Sequence, residues 1–289
     1  MPPRLAAAAA PSPSPDFTQI ADRVSLTIAS FNVNSLRARL PNILGWLNDA
    51  KPDVALLQEI KCQEAEFPRL EIESLGYQTA IGGQKSYNGV AILSRHKFEL
   101  VERGLPGDES DTQARYLEAV IEHPEGEIWK SLRVATIYLP NGNPVETEKY
   151  PYKLAWMRRL RSHAATLLRH EQPIVLGGDY NICPTDLDVY DPIGWAEDAL
   201  CRPESREQFR ALLNLGYTDA FRACNTDGQR YTFWDYQAGR WPRDEGLRID
   251  HLLLSPQAAD HLAACEIDRK PRGMDKPSDH TPIWCRLAL

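Results

Sequence analysis

The sequence predicts a single α/β domain in which the strands form two stacked sheets and the helices cover the outer faces of these sheets. Strand-like apolar runs recur along the chain with helical segments between them, which is typical of layered α/β proteins. Neither a G-x-G-x-x-G motif nor a P-loop is present. No linker divides the chain after residue 24, and we therefore expect one domain over residues 24–289.

The composition is that of a globular protein with a sizeable core, since 43% of the 289 residues are hydrophobic and 25% are charged. No run approaches the roughly 18 apolar residues that cross a bilayer, which argues against a membrane protein. Residues 1–23 are rich in Pro, Ser and Ala and are predicted to be a disordered tail. Six cysteines without a C-x-x-C pair indicate reduced thiols and a cytoplasmic protein.

The predicted strands are short apolar runs, from LTIASFNV near the start to TPIWCRLAL at the end. They occupy residues 26–33, 53–59, 89–94, 116–121, 132–139, 173–180, 232–236, 248–255 and 281–289. Three helices lie between them. Pro41 suits the start of the first, residues 148–170 show apolar spacing of helical period, and the third covers 204–216 and stops at Gly216.

Polar side chains stand at the ends of several predicted strands. An Asp or Asn at one strand end is ordinarily a turn residue. Several such ends together favour a functional site, because strand ends can gather side chains from distant parts of a sequence on rigid backbone. The polar residues concerned are Asn32, Asn34, Glu59, Tyr138, Asn141, Asp179, Asn181, Asp250, Asp279 and His280.

The residue types in this set indicate hydrolysis of a phosphate ester. Glu59, Asn34 and Asp279 offer hard oxygen ligands of the kind that Mg²⁺ or Mn²⁺ prefers, and nothing resembles a thiolate zinc site. A histidine such as His280, paired with a carboxylate, would be held in one orientation. Asp179 could then accept or donate a proton during the attack of water on phosphorus.

The motifs FNVN, LLQEIK, NGVAILSR, IYLPNG, GDYNI, RIDHLLLS and SDHTP, in this order, resemble the exonuclease III family of apurinic/apyrimidinic (AP) endonucleases. That family belongs to the endonuclease, exonuclease and phosphatase superfamily. The resemblance implies a four-layered α/β sandwich, with two packed, mostly antiparallel sheets flanked by helices. It extends from about residue 26 to the C-terminus, so that residues 24–289 would form the catalytic domain.

The resemblance also implies roles for individual residues. Mg²⁺, or Mn²⁺ in its place, would bind at Glu59 with help from Asn34, and Asp250 would orient His280. Asn34 stands where some relatives carry Asp. The implied catalytic residues are Tyr138, Asp179, Asn181, Asp250 and His280. The implied metal site comprises Asn32, Asn34, Glu59, Asp179, Asn181 and Asp279.

The implied activity is hydrolysis of the phosphodiester 5′ to abasic sites in duplex DNA, with 3′-to-5′ exonuclease and 3′-phosphodiesterase activity. Tyr138 stands where lipid phosphodiesterases of the superfamily carry His, which favours this branch. The expected partner is double-stranded DNA with abasic sites or 3′-blocked ends, bound by a monomer. The expected substrate-binding residues are Arg115, Phe233, Trp234, Leu247 and Ile249, although Trp234 could equally be a core residue.

The formal net charge of −7 argues against a polyanionic partner unless a metal ion and local basic residues offset it. Two alternatives remain open. The protein could be a superfamily phosphatase or phosphodiesterase that acts on a small molecule or lipid, or an inactive binding protein with the same fold. The basic residues expected to contact the DNA backbone are Arg37, Arg39, Lys61, Lys85, Arg115, Arg240, Arg243 and Arg248.

Overall fold

The structure is a computed structural model that describes residues 25–122 and 129–289. The predicted disordered tail, residues 1–23, lies outside the described residues. None of the helices in the described part is long and apolar enough to cross a membrane. All six cysteines fall within the described part and are free thiols, and Cys224 alone among them is exposed.

Twelve strands form two sheets of six strands in the described part of the chain. They are β1 (Ser25–Asn32), β2 (Val54–Gln58), β3 (Gln78–Gly82), β4 (Val90–Ser94), β5 (Phe98–Arg103), β6 (Tyr116–Glu122), β7 (Ser131–Tyr138), β8 (Ile174–Asp179), β9 (Thr218–Asp219), β10 (Asp250–Leu254), β11 (Leu262–Ile267) and β12 (Ile283–Ala288). The strand orders are β11-β12-β1-β2-β4-β3 and β5-β6-β7-β8-β10-β9. Each sheet has one parallel pair, β1 with β2 and β7 with β8, and its other neighbours are antiparallel.

Helices cover the outer face of each sheet and complete four layers. On the first sheet these are α1 (Leu40–Ala50) and α2 (Arg69–Glu73), and on the second they are α3 (Lys149–Leu168) and α4 (Pro203–Leu213). The short helices α5 (Ala220–Cys224) and α6 (Pro256–Ala259) instead contribute Phe221 and Ala258 to the core between the sheets. Helix α1 packs on the first sheet, where the ring of Trp46 meets Phe31 edge-on at 5.4 Å. Helix α3 buries Trp156 and Leu160 against the second sheet. The four-layered sandwich implied by the motifs is therefore confirmed.

Side-chain alternation assigns each strand residue to one of two cores. In β1, Leu26 and Ile28 belong to the core between the sheets, whereas Ala29 and Phe31 belong to the core under α1. Because side chains of a strand alternate between its faces, Asn32 falls on the inner face with Leu26 and Ile28. The inner face thus changes from apolar to polar at the end of the strand.

The same alternation holds in the second sheet. Val175 of β8 and Leu252 of β10 lie in the core between the sheets. Asp179 and Asp250 are related to them by an even number of residues and therefore share their face. Tyr138, at the end of β7, packs against the same core. The polar ends of these strands consequently point into the space between the two sheets.

A glycine allows β7 and β8 to approach each other next to this polar end. Gly178 has φ +154°, and a Cβ added there would lie 2.0 Å from the carbonyl oxygen of Ile137. No other residue fits such an approach without moving the backbone. Gly178 therefore fixes the position of β8 one residue before Asp179.

Residues 232–236, predicted as a strand, form no named strand. Phe233 instead makes isolated bridges with Leu247 and with His280. These bridges join the segment to residues on either side of it in space, which brings His280 beside the start of β10. The prediction was wrong in type but located a segment that contacts the polar end of the sandwich.

Candidate active site

Strand register places three predicted catalytic residues side by side. Tyr138 pairs with Asp179 in the parallel ladder of β7 and β8, and Asp179 pairs with Asp250 in the antiparallel ladder of β8 and β10. Asn32 reaches across from the first sheet, and its Nδ2 donates to Glu59 Oε1 at 2.8 Å and to Asp179 Oδ2 at 2.9 Å. One buried amide thus joins the two sheets at the site.

Glu59 follows β2 in a left-handed backbone conformation, with φ 53°. Lys61 and Asn34 also have positive φ values, of 50° and 42°. Such conformations cost non-glycine residues roughly 1–3 kcal/mol each and persist where the surrounding structure imposes them. Here they turn the carboxylate of Glu59 towards Asn32, where it accepts a hydrogen bond instead of continuing the strand alternation.

The oxygens of Glu59 and Asn34 face one positive group. Lys61 Nζ lies 2.8 Å from Glu59 Oε2 and 2.6 Å from Asn34 Oδ1. Asn34 Nδ2 donates to Asp279 Oδ1 at 2.9 Å. Burial acts to raise the pKa of Glu59, but Lys61 and the amide of Asn32 outweigh it and lower that pKa overall. Glu59 is therefore held as a carboxylate.

The donor set fits a hard divalent cation. One ligand atom from each of Glu59, Asp179 and His280 lies within 4.8 Å of the others, and this is the one such cluster in the described residues. Carboxylate and amide oxygens are the protein ligands that Mg²⁺ and Mn²⁺ take, with water and substrate oxygens in the other positions. Glu59 and Asn34 can supply them from the first sheet, and Asp179 from the second.

His280 is fixed between two aspartates. Its Nδ1 lies 2.8 Å from Asp250 Oδ2, and its Nε2 lies 3.8 Å from Asp179 Oδ2. Burial acts to lower the pKa of His280, but the charges of Asp250 and Asp179 outweigh it and raise the pKa to about 10. The imidazole is therefore protonated and positively charged at neutral pH, with Nε2 directed at the site.

Asp179 carries a pKa raised to about 7, first because it is buried and then because the carboxylates of Asp250 and Glu59 lie nearby, while His280 and Asn32 act in the opposite direction. Its Oδ1 accepts the backbone N–H of Asn181 at 2.9 Å. A carboxyl group with a pKa near neutrality can both take and release a proton under working conditions.

Asn181 and Tyr138 complete the polar floor. Asn181 has φ 49°, its Oδ1 accepts from Asn141 Nδ2 at 3.0 Å, and its Nδ2 donates to the carbonyl of Leu139 at 2.9 Å. Burial and the charges of Glu59 and Asp179 raise the pKa of Tyr138 well above its usual value, so its phenol remains a hydrogen-bond donor. The guanidinium of Arg115 lies over the Tyr138 ring, 4.7 Å from its centroid.

These residues open into one cleft with a volume of about 300 Å³. Phe233, Leu247 and Ile249 form an apolar wall, and the ring of Phe233 packs on His280 at 5.0 Å. Fifteen residues line the cleft: Glu59, Tyr138, Asn141, Asn143, Asp179, Asn181, Trp195, Asp198, Leu200, Phe233, Asp235, Leu247, Ile249, Asp279 and His280.

Five of the predicted residues do not line the cleft, among them Asp250, which is fully buried and holds His280 at Nδ1. Asn32 is buried beneath it, Asn34 stands beside it next to Lys61, and Arg115 covers Tyr138 from outside. Trp234 lies behind the wall rather than in it. It is fully buried, packs edge-on against Trp241 at 4.7 Å and donates its Nε1 proton to Asp244. Its place is that of a core residue which supports Phe233.

Two further differences from the sequence predictions concern loops. Arg248 does not contact solvent, because it is fully buried in ion pairs with Asp188 and Asp219, so the expectation that it binds the DNA backbone is wrong. The segment between β8 and α4 contributes cleft residues that no sequence pattern singled out. An aromatic residue in the turn-rich stretch DPIGW is the one signal that could have drawn attention to it. The cleft residues concerned are Trp195, Asp198 and Leu200.

Comparison with known proteins agrees with this geometry. A family model described as the Endonuclease/Exonuclease/phosphatase family matches residues 29–280. Exodeoxyribonuclease III of Haemophilus influenzae is 36% identical over 268 residues, which cover 89% of this chain and 98% of that protein. The structure of the 3′ phosphatase NExo from Neisseria, bound to product DNA hairpin, has a TM-score of 0.87 at 37% identity, over 91% of this chain and 100% of that chain. An AP endonuclease from Archaeoglobus fulgidus has a TM-score of 0.85 at 34% identity, over the same shares.

The family model spans most of the chain, and the protein belongs to the endonuclease, exonuclease and phosphatase family. Within that family it belongs with the exodeoxyribonuclease III and AP endonuclease relatives, as the similarity to the Haemophilus and Archaeoglobus proteins shows. It is therefore an enzyme, a hydrolase of the nuclease class. The resemblance found in the sequence motifs is confirmed.

Proposed function

We propose that the protein is a Mg²⁺-dependent DNA-repair nuclease that hydrolyses the phosphodiester 5′ to abasic sites in duplex DNA. We propose that it also has 3′-to-5′ exonuclease and 3′-phosphodiesterase activity and that Mn²⁺ can replace Mg²⁺. The observation that carries the proposal is the convergence of Glu59, Asp179 and His280 in one cleft, with ligand atoms within 4.8 Å of one another. Relatives named as an AP endonuclease, a 3′ phosphatase and exodeoxyribonuclease III support a DNA substrate.

The residues of the cleft bind the scissile phosphate between them. The imidazolium of His280 directs a charged N–H at a phosphate oxygen, and its partner Asp250 prevents the ring from turning. Tyr138 and Asn181 add neutral donors on the side of the second sheet. Glu59 and Asn34 would hold Mg²⁺, which would supply Lewis-acid chemistry at the phosphate.

Asp179 is the proposed proton-transfer group. It stands between the amide of Asn32 and the imidazole of His280, and both contacts fix the direction of its Oδ2. A water molecule at this carboxylate would lose its proton to Asp179 as its oxygen bonds to phosphorus, while the bond from phosphorus to the 3′ oxygen of the preceding nucleotide breaks and that oxygen takes up a proton. The positive charge of His280 then faces the negative charge that develops on the phosphate.

The apolar wall accounts for abasic-site selectivity. Phe233 packs on His280, so the sugar attached to a phosphate at His280 lies against Phe233, Leu247 and Ile249. These side chains offer no hydrogen-bond partner to a base, and an intact base turned into the cleft would leave its polar edges unsatisfied. A sugar without a base has no such penalty.

The test uses a DNA duplex that contains a tetrahydrofuran abasic analogue, with Mg²⁺ in the buffer. We expect a single nick 5′ to the analogue that EDTA abolishes and Mn²⁺ restores, and no nick in the same duplex with an intact base. A duplex with a 3′-phosphate end tests the end-processing activity in parallel. Turnover of inositol phosphates or sphingomyelin, together with indifference to the abasic duplex, would replace this proposal by a phosphatase of small molecules or lipids.

The proposal also includes the oligomeric state, the location and the partner expected from the sequence. The nuclease acts as a monomer in the cytoplasm, and its partner is double-stranded DNA with abasic or 3′-blocked sites. Because basic residues that contact phosphates release counterions from the DNA, binding should weaken steeply with salt. Light scattering of the free protein and of its DNA complex measures the oligomeric state directly.

A further inference from the structure

Helix α3 carries a lysine in a setting that none of the proposed catalytic steps uses. Lys153 is fully buried, with 0% of its surface exposed. An ammonium group loses its hydration when it is buried, and it is tolerated only where the protein supplies replacement partners. Lys153 lies directly beneath the cleft, and its surroundings therefore bear on the geometry of the site.

Three backbone carbonyl oxygens surround the Lys153 ammonium. Its Nζ donates to the carbonyls of Asn141 at 3.0 Å, Asn181 at 2.6 Å and Ala199 at 3.0 Å. Burial lowers the pKa of Lys153 to about 7, but a carbonyl can only accept, and three carbonyls require the three N–H groups that only the charged ammonium form provides. An apolar side chain of the same length would leave all three carbonyls without this donor.

The three carbonyls belong to three separate segments of chain, and each segment contributes to the cleft. The first follows β7, the second follows β8, and the third precedes α4. These segments supply the cleft residues Asn141, Asn143, Asn181, Trp195, Asp198 and Leu200. One ammonium group therefore ties together the side of the cleft opposite the Glu59 carboxylate.

A glycine next to the lysine shows that the loop is built around its stem. Gly142 has φ +91°, and a Cβ added there would lie 2.7 Å from Lys153 Cδ and 3.1 Å from Ala199 Cβ. The absence of a side chain at residue 142 lets the first segment close onto the lysine. The amide of Asn143 then bonds to the carboxylate of Asp198 at 3.1 Å, which links the first segment to the third.

We infer that Lys153 is a positioning residue for hydrolysis: it fixes the loop that carries Asn181 against the other two segments and so sets where Asn181 and Asn141 meet the phosphate. The inference rests on the proposed function in so far as Asn181 is taken to contact phosphate. Lys153 itself touches no substrate, because its Nζ is enclosed by the three carbonyls beneath the cleft. A displacement of about 1 Å in such a group can lower a rate by about 100-fold.

The first measurement compares Lys153→Met with Lys149→Met, a substitution on the same helix at an exposed position. Methionine keeps the apolar stem and removes the donors. We expect kcat of Lys153→Met to fall by about 30-fold to 100-fold while KM for DNA changes by less than about threefold. Lys149→Met should match the wild-type enzyme. A kcat within about twofold of wild type in folded Lys153→Met overturns the inference.

The second measurement separates positioning from simple stabilisation of the fold. Asn181→Ala is combined with Lys153→Met in a double-mutant cycle of kcat. If Lys153 acts through Asn181, the double variant should be little slower than Asn181→Ala alone, whereas losses that multiply overturn the inference. The cycle is repeated with Lys153→Gln, which keeps two N–H donors, so that a folding failure of one variant leaves the other to decide.

Failure of the proposed function is distinguishable in the same assay. If the wild-type enzyme leaves the abasic duplex intact but removes 3′ ends, abasic-site incision fails and the cycle is run on the 3′-end substrate. The ratio of variant to wild-type rates still reports on Lys153, because any phosphate in the cleft meets the same loop.

Discussion

Two clusters of buried charge lie next to each other around β10, and they differ in whether their charges are balanced. The first, which we call the Arg248 cluster, contains Asp188, Asp219, Arg222, Arg248 and His251. The second comprises the cleft residues Glu59, Asp179, Asp279 and His280 together with Asp250 and Lys61, which stand next to the cleft. Arg248 and Asp250 are two residues apart in the chain. Neighbouring residues thus belong to one cluster whose charges balance, which we call closed, and to another whose charges do not balance, which we call open.

The Arg248 cluster is closed. Arg248 Nε donates to Asp188 at 2.8 Å, its Nη2 donates to Asp219 at 2.9 Å, and its Nη1 lies 3.0 Å from His251 Nδ1. Burial and the charge of Arg248 lower the pKa of His251 to about 4, so this histidine is neutral. Every charge has an opposite charge in contact, and no side chain of the cluster lines the cleft.

The cleft is open because its negative charges exceed its positive ones. Glu59, Asp179, Asp250 and Asp279 stand against His280 and Lys61, and the crowding of carboxylates contributes to the raised pKa of Asp179. Uncompensated charge, rather than buried charge as such, therefore marks the functional site. The missing positive charge is what a divalent cation would bring.

The largest expected effect comes from Asp179→Asn, which removes one charge from the open site and keeps its shape. We expect kcat to fall by about 10⁴-fold, because proton transfer is lost. The free energy of unfolding should stay the same or rise, because a carboxyl group with a raised pKa is costly to bury as a charge. Nicking assays and urea unfolding measure the two effects. Asp260→Asn, at an exposed position, is the control; retained activity in Asp179→Asn would remove this residue from the mechanism.

A substitution in the closed site should act in the opposite way. Arg248→Met leaves Asp188 and Asp219 buried without their cation, and breaking a buried ion pair costs about 3–5 kcal/mol of unfolding free energy. The protein that remains folded should still cleave DNA, since Arg248 does not line the cleft. Arg243→Met, which removes an exposed ion pair with Glu245, should change stability very little. Equal stability of the two variants would show that the Arg248 cluster does not stabilise the fold.

The smallest effect concerns the pH dependence of the stability that Asp188 contributes. Burial acts to raise the pKa of Asp188, but Arg248 and Arg222 outweigh it and hold that pKa well below its usual range. The stability that depends on Asp188 is therefore fully present above the unfolded-state pKa of about 3.9 and is lost as the pH falls towards the folded-state value. The stability difference between wild type and Asp188→Asn should shrink by about 1.4 kcal/mol per pH unit below about pH 4.

Urea unfolding between about pH 6 and about pH 3 measures this difference. Asp186→Asn, two residues away, removes a carboxylate whose side chain is 71% exposed, and it should show no such pH dependence. A constant difference across the range would mean that Asp188 gains no stabilisation from its charge.

The sequence predicted the interior of each sheet and missed the edges. Runs such as VALLQ in β2 are buried along their whole length, because a neighbouring strand lies on each side and a core on each face. The missed strands are β3, β5, β9 and β11, which are the four edge strands of the two sheets. Strand β5, FELVER, has no fully buried residue, so it carries no apolar run to detect.

The residues of the candidate site also differ in whether the sequence could predict them. Residues at strand ends, such as Asp179 and Asp250, could be found because the strands that position them are visible as apolar runs. Residues in loops could not, because nothing local shows that Trp195 or Asp198 turns towards the cleft. Lys153 lies inside the predicted helix 148–170 without any local signal, because its burial depends on carbonyls from three segments that the sequence does not place together.

Side-chain alternation in β8 limits the insertions that this strand can accept. One codon inserted between Val175 and Asp179 would turn the carboxylate away from His280 and towards helix α3, while the hydrophobicity of the segment stayed the same. A pair of inserted codons would restore the direction but displace the side chain along the strand by about 7 Å, beyond reach of its partners. Insertions in the central strands next to the cleft are therefore excluded, whereas surface loops that do not touch the cleft or Lys153 can change length.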